Sequence, residues 1–325
     1  ALPAPAQVGF LAAAAARGHP EKVDKHAHGE DAFFICPEEN AFGVADGVSQ
    51  WVDVDVDAGE YSRLLMERCH AEVLAVNRKQ GTVNPKEVLE KAYRGTLGTV
   101  GSSTACVLSL DHDGTLHVAN LGDSGFLVIR SGTLREPPFA SLRRAKTAGG
   151  APALPPPSNA ASQWDLVYRS QEMQKFFNCP DQLGPGCPDR PARAETFALP
   201  VQPGDLVIAA TDGLFDNFSE TEICVLVKRL SGQVKPLLPD NSFELATEAL
   251  DRDGALTAWV AEVAERLVEE AQTIGMSPTA RTPFRKQCLR AGYFFEGGKL
   301  DDTVVVAGLV VAPGAPPSLD PPAGG

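Results

Sequence analysis

Basic residues are scarce in this chain. Lysine and arginine number 29 against 42 aspartates and glutamates over 325 residues, a formal charge of −13. Binding nucleic acid or an anionic membrane through bulk electrostatics requires a basic field, so neither partner is expected. No apolar run approaches the roughly 20 residues that a membrane-crossing helix requires. The longest candidate, Val304 to Ala312, contains Gly308 and has strand character. The seven cysteines are an odd number and include no CxxC pair. That excludes a disulfide framework or a zinc ribbon and reads as thiols in a reducing compartment. His19, His70, His112 and His117 show no ligand spacing, and no internal repeat is present.

What remains is an ordinary globular composition, 43% hydrophobic and 22% charged, which excludes disorder across the whole chain. Ala1 to Arg17 is Ala-rich and free of acids. We read residues 1–20 as a flexible N-terminal segment, with the remnant of an organellar transit peptide as the alternative. Proline and glycine cluster in Pro137 to Pro157 and after Pro313, which predicts a mobile Pro/Ala-rich insertion near 136–160 and a disordered tail over 313–325. Strands are predicted at Ala32–Cys36, Ala41–Ala45, Thr104–Leu110, Thr115–Asn120, Gly125–Arg130, Asp205–Ala210 and Thr303–Val311, and Asp111-His-Asp-Gly114 is a hairpin turn signal. Tyr61, Leu64, Leu65, Cys69, Val73 and Val76 recur at spacings of three and four, which predicts a helix after Gly59. Further helices are predicted at Pro85–Leu97, Glu220–Leu230 and Ala255–Thr273. Strands joined by hairpins rather than βαβ crossovers imply antiparallel sheets with helices on their faces.

The informative acids stand singly at strand ends beside small residues. Glu30 and Asp31 open a strand, Asp46 closes one before Gly47, Asp123 and Asp212 each follow one, and Asp301 and Asp302 precede the last. Any one of these alone is an ordinary turn or cap residue. If the strands are sheet neighbours, however, their ends gather carboxylates that repel one another unless cations lie between them. Hard oxygen donors without a His or Cys cluster select Mg²⁺ or Mn²⁺ over zinc, and a two-metal hydrolase follows.

The strings Gly101-Ser-Ser-Thr-Ala105, Ala119-Asn-Leu-Gly-Asp-Ser-Gly-Phe126, Ala210-Thr-Asp-Gly-Leu-Phe-Asp-Asn217 and Gly297-Gly-Lys-Leu-Asp-Asp302, in this order, resemble the metal-dependent protein phosphatases of the 2C type. The branch is that of the T-cell activation protein phosphatase 2C homologue. The resemblance covers about residues 28 to 311 and implies a catalytic domain over 21–312, an α/β four-layer αββα sandwich with two central antiparallel sheets. It implies hydrolysis of phosphoserine and phosphothreonine in proteins by a water activated at a dinuclear Mn²⁺ or Mg²⁺ centre, with no phosphoenzyme, in a monomer. Asp46 would bridge both ions, Asp212 and Asp301 would complete the first and Glu30 the second, and the Gly47 carbonyl would bind one of them. Asp31 would hold a water, and Asp123 matches a position for a third, weaker ion. The resemblance points to mitochondria, with a plastid or the cytosol as alternatives.

Three positions depart from the pattern. Val48 stands where many relatives carry a His proposed as general acid. The phosphate-gripping Arg upstream of the first acid pair is missing, which leaves Lys25 or His26 as the cation. The residue before Thr303 is Asp302 rather than a hydrophobic one, and a local shift of register is expected there.

Rival readings come from other segments. Gly122-Asp-Ser-Gly125 resembles the nucleophile segment of chymotrypsin-like serine proteases, although Phe126 follows. Asp53-Val-Asp-Val-Asp57 fails as a calcium loop, because Ala58 and Leu64 stand where Gly and Glu are required. It only faintly resembles a haloacid-dehalogenase nucleophile motif, and an acidic lead-in to the helix accounts for it better. Trp51 and Trp164 are read as packing residues, with a place in the lining of the cleft as the alternative for Trp51. A pseudophosphatase that keeps the fold and binds a partner predicts loss of a bridging acid, and Asp46, Asp212 and Asp301 are all present.

Overall fold

The protein is described from a computed structural model that covers residues 8–20, 29–48, 57–76, 82–131, 164–234 and 254–312. Its strands carry either alternating or continuously apolar side chains. They are β1 (Gly9–Arg17), β2 (Ala32–Cys36), β3 (Ala41–Ala45), β4 (Ala105–Leu110), β5 (Thr115–Leu121), β6 (Gly125–Ser131), β7 (Trp164–Arg169), β8 (Gln174–Phe176), β9 (Cys179–Pro180), β10 (Glu195–Pro200), β11 (Asp205–Ala210) and β12 (Thr303–Val311). One five-stranded sheet has the order β10-β5-β4-β3-β2, the other β1-β12-β11-β6-β7, and β8-β9 is a separate hairpin. All pairings within the two large sheets are antiparallel.

Alternation assigns each residue of a central strand to one of two cores. In β12, Val304, Val306 and Val310 face the layer between the sheets, where they meet Phe10, Phe42, Leu108 and Val118. Val305, Ala307, Leu309 and Val311 face outward, against helices. A strand buried on both faces is therefore apolar throughout, which is why Val304–Val311 reads as one long hydrophobic run.

The helices are α1 (Ala58–Ala75), α2 (Pro85–Arg94), α3 (Asp212–Phe215), α4 (Glu220–Val234), α5 (Ala255–Gly275) and α6 (Pro283–Arg290). Helices α1 and α2 cover the first sheet through Tyr61, Leu65, Cys69, Val73, Val88 and Leu89. Helices α4 and α5 cover the second through Ile223, Leu226, Val263 and Leu267. The layers run α-β-β-α, as expected. Asp57 caps α1 by accepting from the Gly59 N–H at 3.0 Å and pairs with Arg63 at 2.6 Å, so the last acid of the lead-in serves the helix; residues 53–56 lie outside the described residues. Asn84 and Thr282 cap α2 and α6, each followed by proline at the first helical position, where a missing N–H costs nothing. Trp164 is a packing residue, stacked on Trp259 of α5 with ring centroids 6.0 Å apart. No helix among the described residues is long and apolar enough to cross a membrane.

Two expectations need correction. Residues 9–17 are not a flexible segment but strand β1, paired with β12 from Gly9↔Val311 to Arg17↔Thr303. Alanine is a poor strand former, yet it suits a strand sandwiched closely on both faces: Ala13 and Ala15 pack toward the α5 core, Ala12, Ala14 and Ala16 toward the inter-sheet core. Nor does Asp302 shift the register, since β12 pairs without interruption with both β1 and β11. The 136–160 insertion, the 313–325 tail and Trp51 lie outside the described residues.

If β1 is integral, removing residues 1–17 strips Phe10 from the inter-sheet core and uncovers β12. Burial of one Phe side chain is worth about 1.5–3 kcal/mol, so urea unfolding should show a loss of at least about 1.5 kcal/mol. An unchanged urea midpoint would return the segment to the status of a dispensable end.

Candidate metal centre

Antiparallel pairing sets the end of one strand beside the start of the next. Ala32 at the start of β2 pairs with Ala45 at the end of β3, so Asp31 and Asp46 lie side by side. Ala210 ends β11 opposite Val305 of β12, which brings Asp212 to the residues preceding Thr303. Asp123, just beyond β5, joins them: one carboxylate oxygen from each of Asp46, Asp123 and Asp212 lies within 4.8 Å of the others. The group draws on both sheets, with Asp46 and Asp123 from one and Asp212 from the other. Asp46 is fixed through its backbone, its N–H donating to Thr104 Oγ1 at 3.0 Å and its carbonyl accepting from the Thr104 N–H at 2.9 Å. Gly47 extends the ladder through an isolated bridge to Ser103.

Burial and mutual repulsion dominate the electrostatics. The Asp46 carboxyl is held well above the usual carboxylate range, first by burial and then by Asp31, Asp212, Asp301 and Asp123. Asp31 is raised likewise by burial, Asp302, Asp301 and Asp212, against a hydrogen bond from Thr211. Burial and Asp212 push Asp123 up to about 7. Asp212 is the exception: burial raises it, but the Lys299 ammonium together with hydrogen bonds to Asp46 and Asp216 holds it below the ordinary value. Two buried oxygens, Asp31 Oδ2 and Asp212 Oδ1, have no hydrogen-bond partner. Buried carboxylate oxygens are seldom left so, and a converging group of hard carboxylate oxygens such as that of Asp46, Asp123 and Asp212 is the donor set that Mg²⁺ or Mn²⁺ takes. The residues therefore fit a divalent ion.

The approach of β12 to the site depends on two glycines. A Cβ on Gly213 would lie 2.0 Å from the Asp302 carbonyl oxygen, and one on Gly29, whose φ is +64°, would lie 2.0 Å from Asp302 Oδ1. Asp302, buried, accepts from the Glu30 N–H at 2.9 Å and the His19 N–H at 2.5 Å. It thus clamps the turn carrying Glu30 and Asp31 to the start of β12.

Of the residues singled out in the sequence, Asp31, Asp46, Asp123, Asp212 and Asp301 act electrostatically on one another here. Glu30 is buried beside them, but its carboxylate is outside the group of three. Lys25 and His26 lie outside the described residues. Ser124 is 1% exposed, and its Oγ sits 2.6 Å from Thr104 Oγ1. It supports the residue that holds Asp46 and is closed to a substrate, which removes the serine-hydrolase reading. Sequence reasoning gave no role to Asp216, Asn217, Gln272 and Lys299. Gln272 of α5 donates to the Asp301 carbonyl at 2.6 Å, and Asn217 holds the backbone of Lys299. The signal available for Asp216 was its spacing of four from Asp212 on one helical turn; Gln272, on a helix remote in sequence, offered none.

The architecture is that of metal-dependent phosphatases. The chain superposes on the photosystem II phosphatase PBCP with a TM-score of 0.67 at 22% identity, covering 93% of this chain and 98% of that one. It superposes on the catalytic domain of the serine/threonine phosphatase PstP, in complex with two manganese ions, with a TM-score of 0.50 at 14% identity, covering 94% and 99%. No protein-family profile matches. In sequence it is 33% identical over 307 residues to the protein phosphatase PTC7 homolog fig of Drosophila virilis, covering 89% of this chain and 80% of that protein. It is 35% identical over 297 residues to probable protein phosphatase 2C 55 of Arabidopsis thaliana, covering 90% of this chain and 50% of that one. The chain belongs to the protein phosphatase 2C family, and the PTC7 relatives fit the branch its motifs indicate. It spans about half the length of the Arabidopsis relatives it matches, 50% and 57%.

A carboxyl whose folded pKa is raised stabilises the fold fully below its unfolded pKa, and that contribution is lost as pH rises through the folded value. For Asp123 the window runs from 3.8 to about 7. Asp31, Asp46 and Asp216 act in the same direction, and Asp212 opposes them. Metal-stripped protein should therefore show a falling Tm between roughly pH 4 and 7, and Mn²⁺ should raise Tm more at the upper end. A Tm that rises with pH in chelator would contradict the repulsive cluster.

Proposed function

We propose that the chain is a metal-dependent protein serine/threonine phosphatase acting on phosphoserine and phosphothreonine in a protein substrate. The observation that carries this reading is the three-carboxylate group drawn from both sheets, with unpartnered oxygens on Asp31 and Asp212. Family membership and the manganese-bound structural relative support it.

In this reading Asp46, Asp212, Asp301, Glu30 and the Gly47 carbonyl would hold the two ions, with Asp123 beside them. When bound, the ions activate water as a nucleophile and neutralise charge on the phosphoryl oxygens. The protein's own contribution is position. Asp46 is pinned by Thr104, Asp301 by Gln272, and the Glu30 turn by Asp302. Asp31 Oδ2, buried and unpartnered, orients the attacking water. Val48, half-buried beyond Gly47, has no proton to give, so the leaving oxygen is protonated by solvent or by another side chain. Lys25 or His26 supplies the phosphate-binding cation, a point charge rather than a bidentate fork.

Phosphate release from a phosphothreonine peptide with Mn²⁺ tests the reading. Asp46→Asn and Asp212→Asn should each lower kcat/KM by about 100-fold or more, the scale on which single transition-state contacts act, and chelator should abolish turnover. Ser124→Ala should retain activity, with no labelling of the parent by a fluorophosphonate. Rates unaffected by chelator or by either Asp substitution would refute the mechanism.

A further inference from the structure

Lys299 places a cation inside the acidic cluster. Its Nζ lies 2.5 Å from Asp212 Oδ2, 2.6 Å from Asp216 Oδ2 and 3.1 Å from Asp301 Oδ2. An ammonium has three N–H donors, and three carboxylates from two chain segments meet them. The side chain is 18% exposed and runs past the Phe284 ring, 5.1 Å from its centroid. Its backbone is held at both ends, the N–H donating to Asn217 Oδ1 at 2.9 Å and the carbonyl accepting from Asn217 Nδ2 at 2.6 Å. Asn217 itself is buried and donates also to the Gly213 carbonyl, on the helical turn that carries Asp212 and Asp216. The ammonium is therefore built into the site.

Asp212 is divided by this arrangement. Oδ2 is taken by Lys299, and Oδ1 is the buried oxygen left without a partner. Asp216 faces Lys299 and lies against Asp212, but it is not part of the converging Asp46 group of three. A divalent ion spanning Asp212 and Asp216 needs oxygen distances of about 2.1 Å for Mg²⁺, in space the ammonium occupies and against its charge.

We propose that Lys299 is a tethered cation that stands in place of a metal ion at the Asp212–Asp216 corner, withholding Asp216 from metal and limiting the centre to two divalent ions. The inference rests on the metal-centre reading above but is separable from it. It makes Lys299 a positioning residue: it fixes Asp212 so that Oδ1 faces the ions, and it supplies permanently a charge that would otherwise depend on metal concentration.

The test counts bound Mn²⁺ by the loss of the free-ion electron paramagnetic resonance signal, with the whole chain titrated to millimolar Mn²⁺. The parent and Lys299→Arg should bind two ions, Lys299→Gln should bind three, and Lys299→Gln combined with Asp216→Asn should return to two. Circular dichroism verifies folding of each. Should the Gln variant fail to fold, Asp216→Asn in the parent decides: the count stays at two with affinities within about threefold if Lys299 alone occupies Asp216. Three ions in the parent, two in Lys299→Gln, or a loss of one ion in Asp216→Asn would overturn the proposal while leaving the metal centre intact. A parent that binds no ion overturns the metal centre as well.

Discussion

Carboxylates that cannot all be ionised without a cation dominate this molecule. Five of them, Asp31, Asp46, Asp123, Asp212 and Asp301, press on one another at a single edge of the two-sheet sandwich. Their repulsion works against the fold unless positive charge is placed among them. Most of what is unusual here serves to hold them together: the two glycines that admit Asp302, the Asp302 clamp on the Glu30 turn, the Thr104 and Ser124 hydroxyls behind Asp46, and Gln272 reaching from α5. The cores on both faces of β11 and β12 provide the rigidity that resists the repulsion.

Much of this was legible in the sequence because the physics was local. Alternation exposed β2 and short continuous apolar runs exposed β3, β11 and β12, and the acid at the end of each strand could be read with them. Where the determinants were distant, reading failed. Nothing in an alanine run announces a strand, and β1 exists because β12 offers it a full edge and α5 packs closely over small side chains. The edge strands β7 and β10 were missed for a related reason, since pairing with β6 and β5 decides them more than their own pattern does.

The site shows the same division. Strand-end acids could be picked out one by one, but their convergence required the antiparallel registers. Lys299 and Asp216 lie within quoted motifs, yet their pairing across 83 positions is visible only in the fold. Their pairing also changes the charge of the site. The sequence showed a cluster of acids, and the structure shows that cluster already partly neutralised by a lysine, with Asp212 Oδ1 left unpartnered for metal and Asp31 Oδ2 for a water beside it.

The central claim is that these carboxylates bind divalent ions. Anomalous diffraction at the manganese edge, from crystals grown with Mn²⁺, tests it most directly. Two peaks are expected, bounded by Asp46, Asp212, Asp301 and the Glu30 turn, with Lys299 Nζ still on Asp216. No anomalous density beside Asp46 would contradict the account.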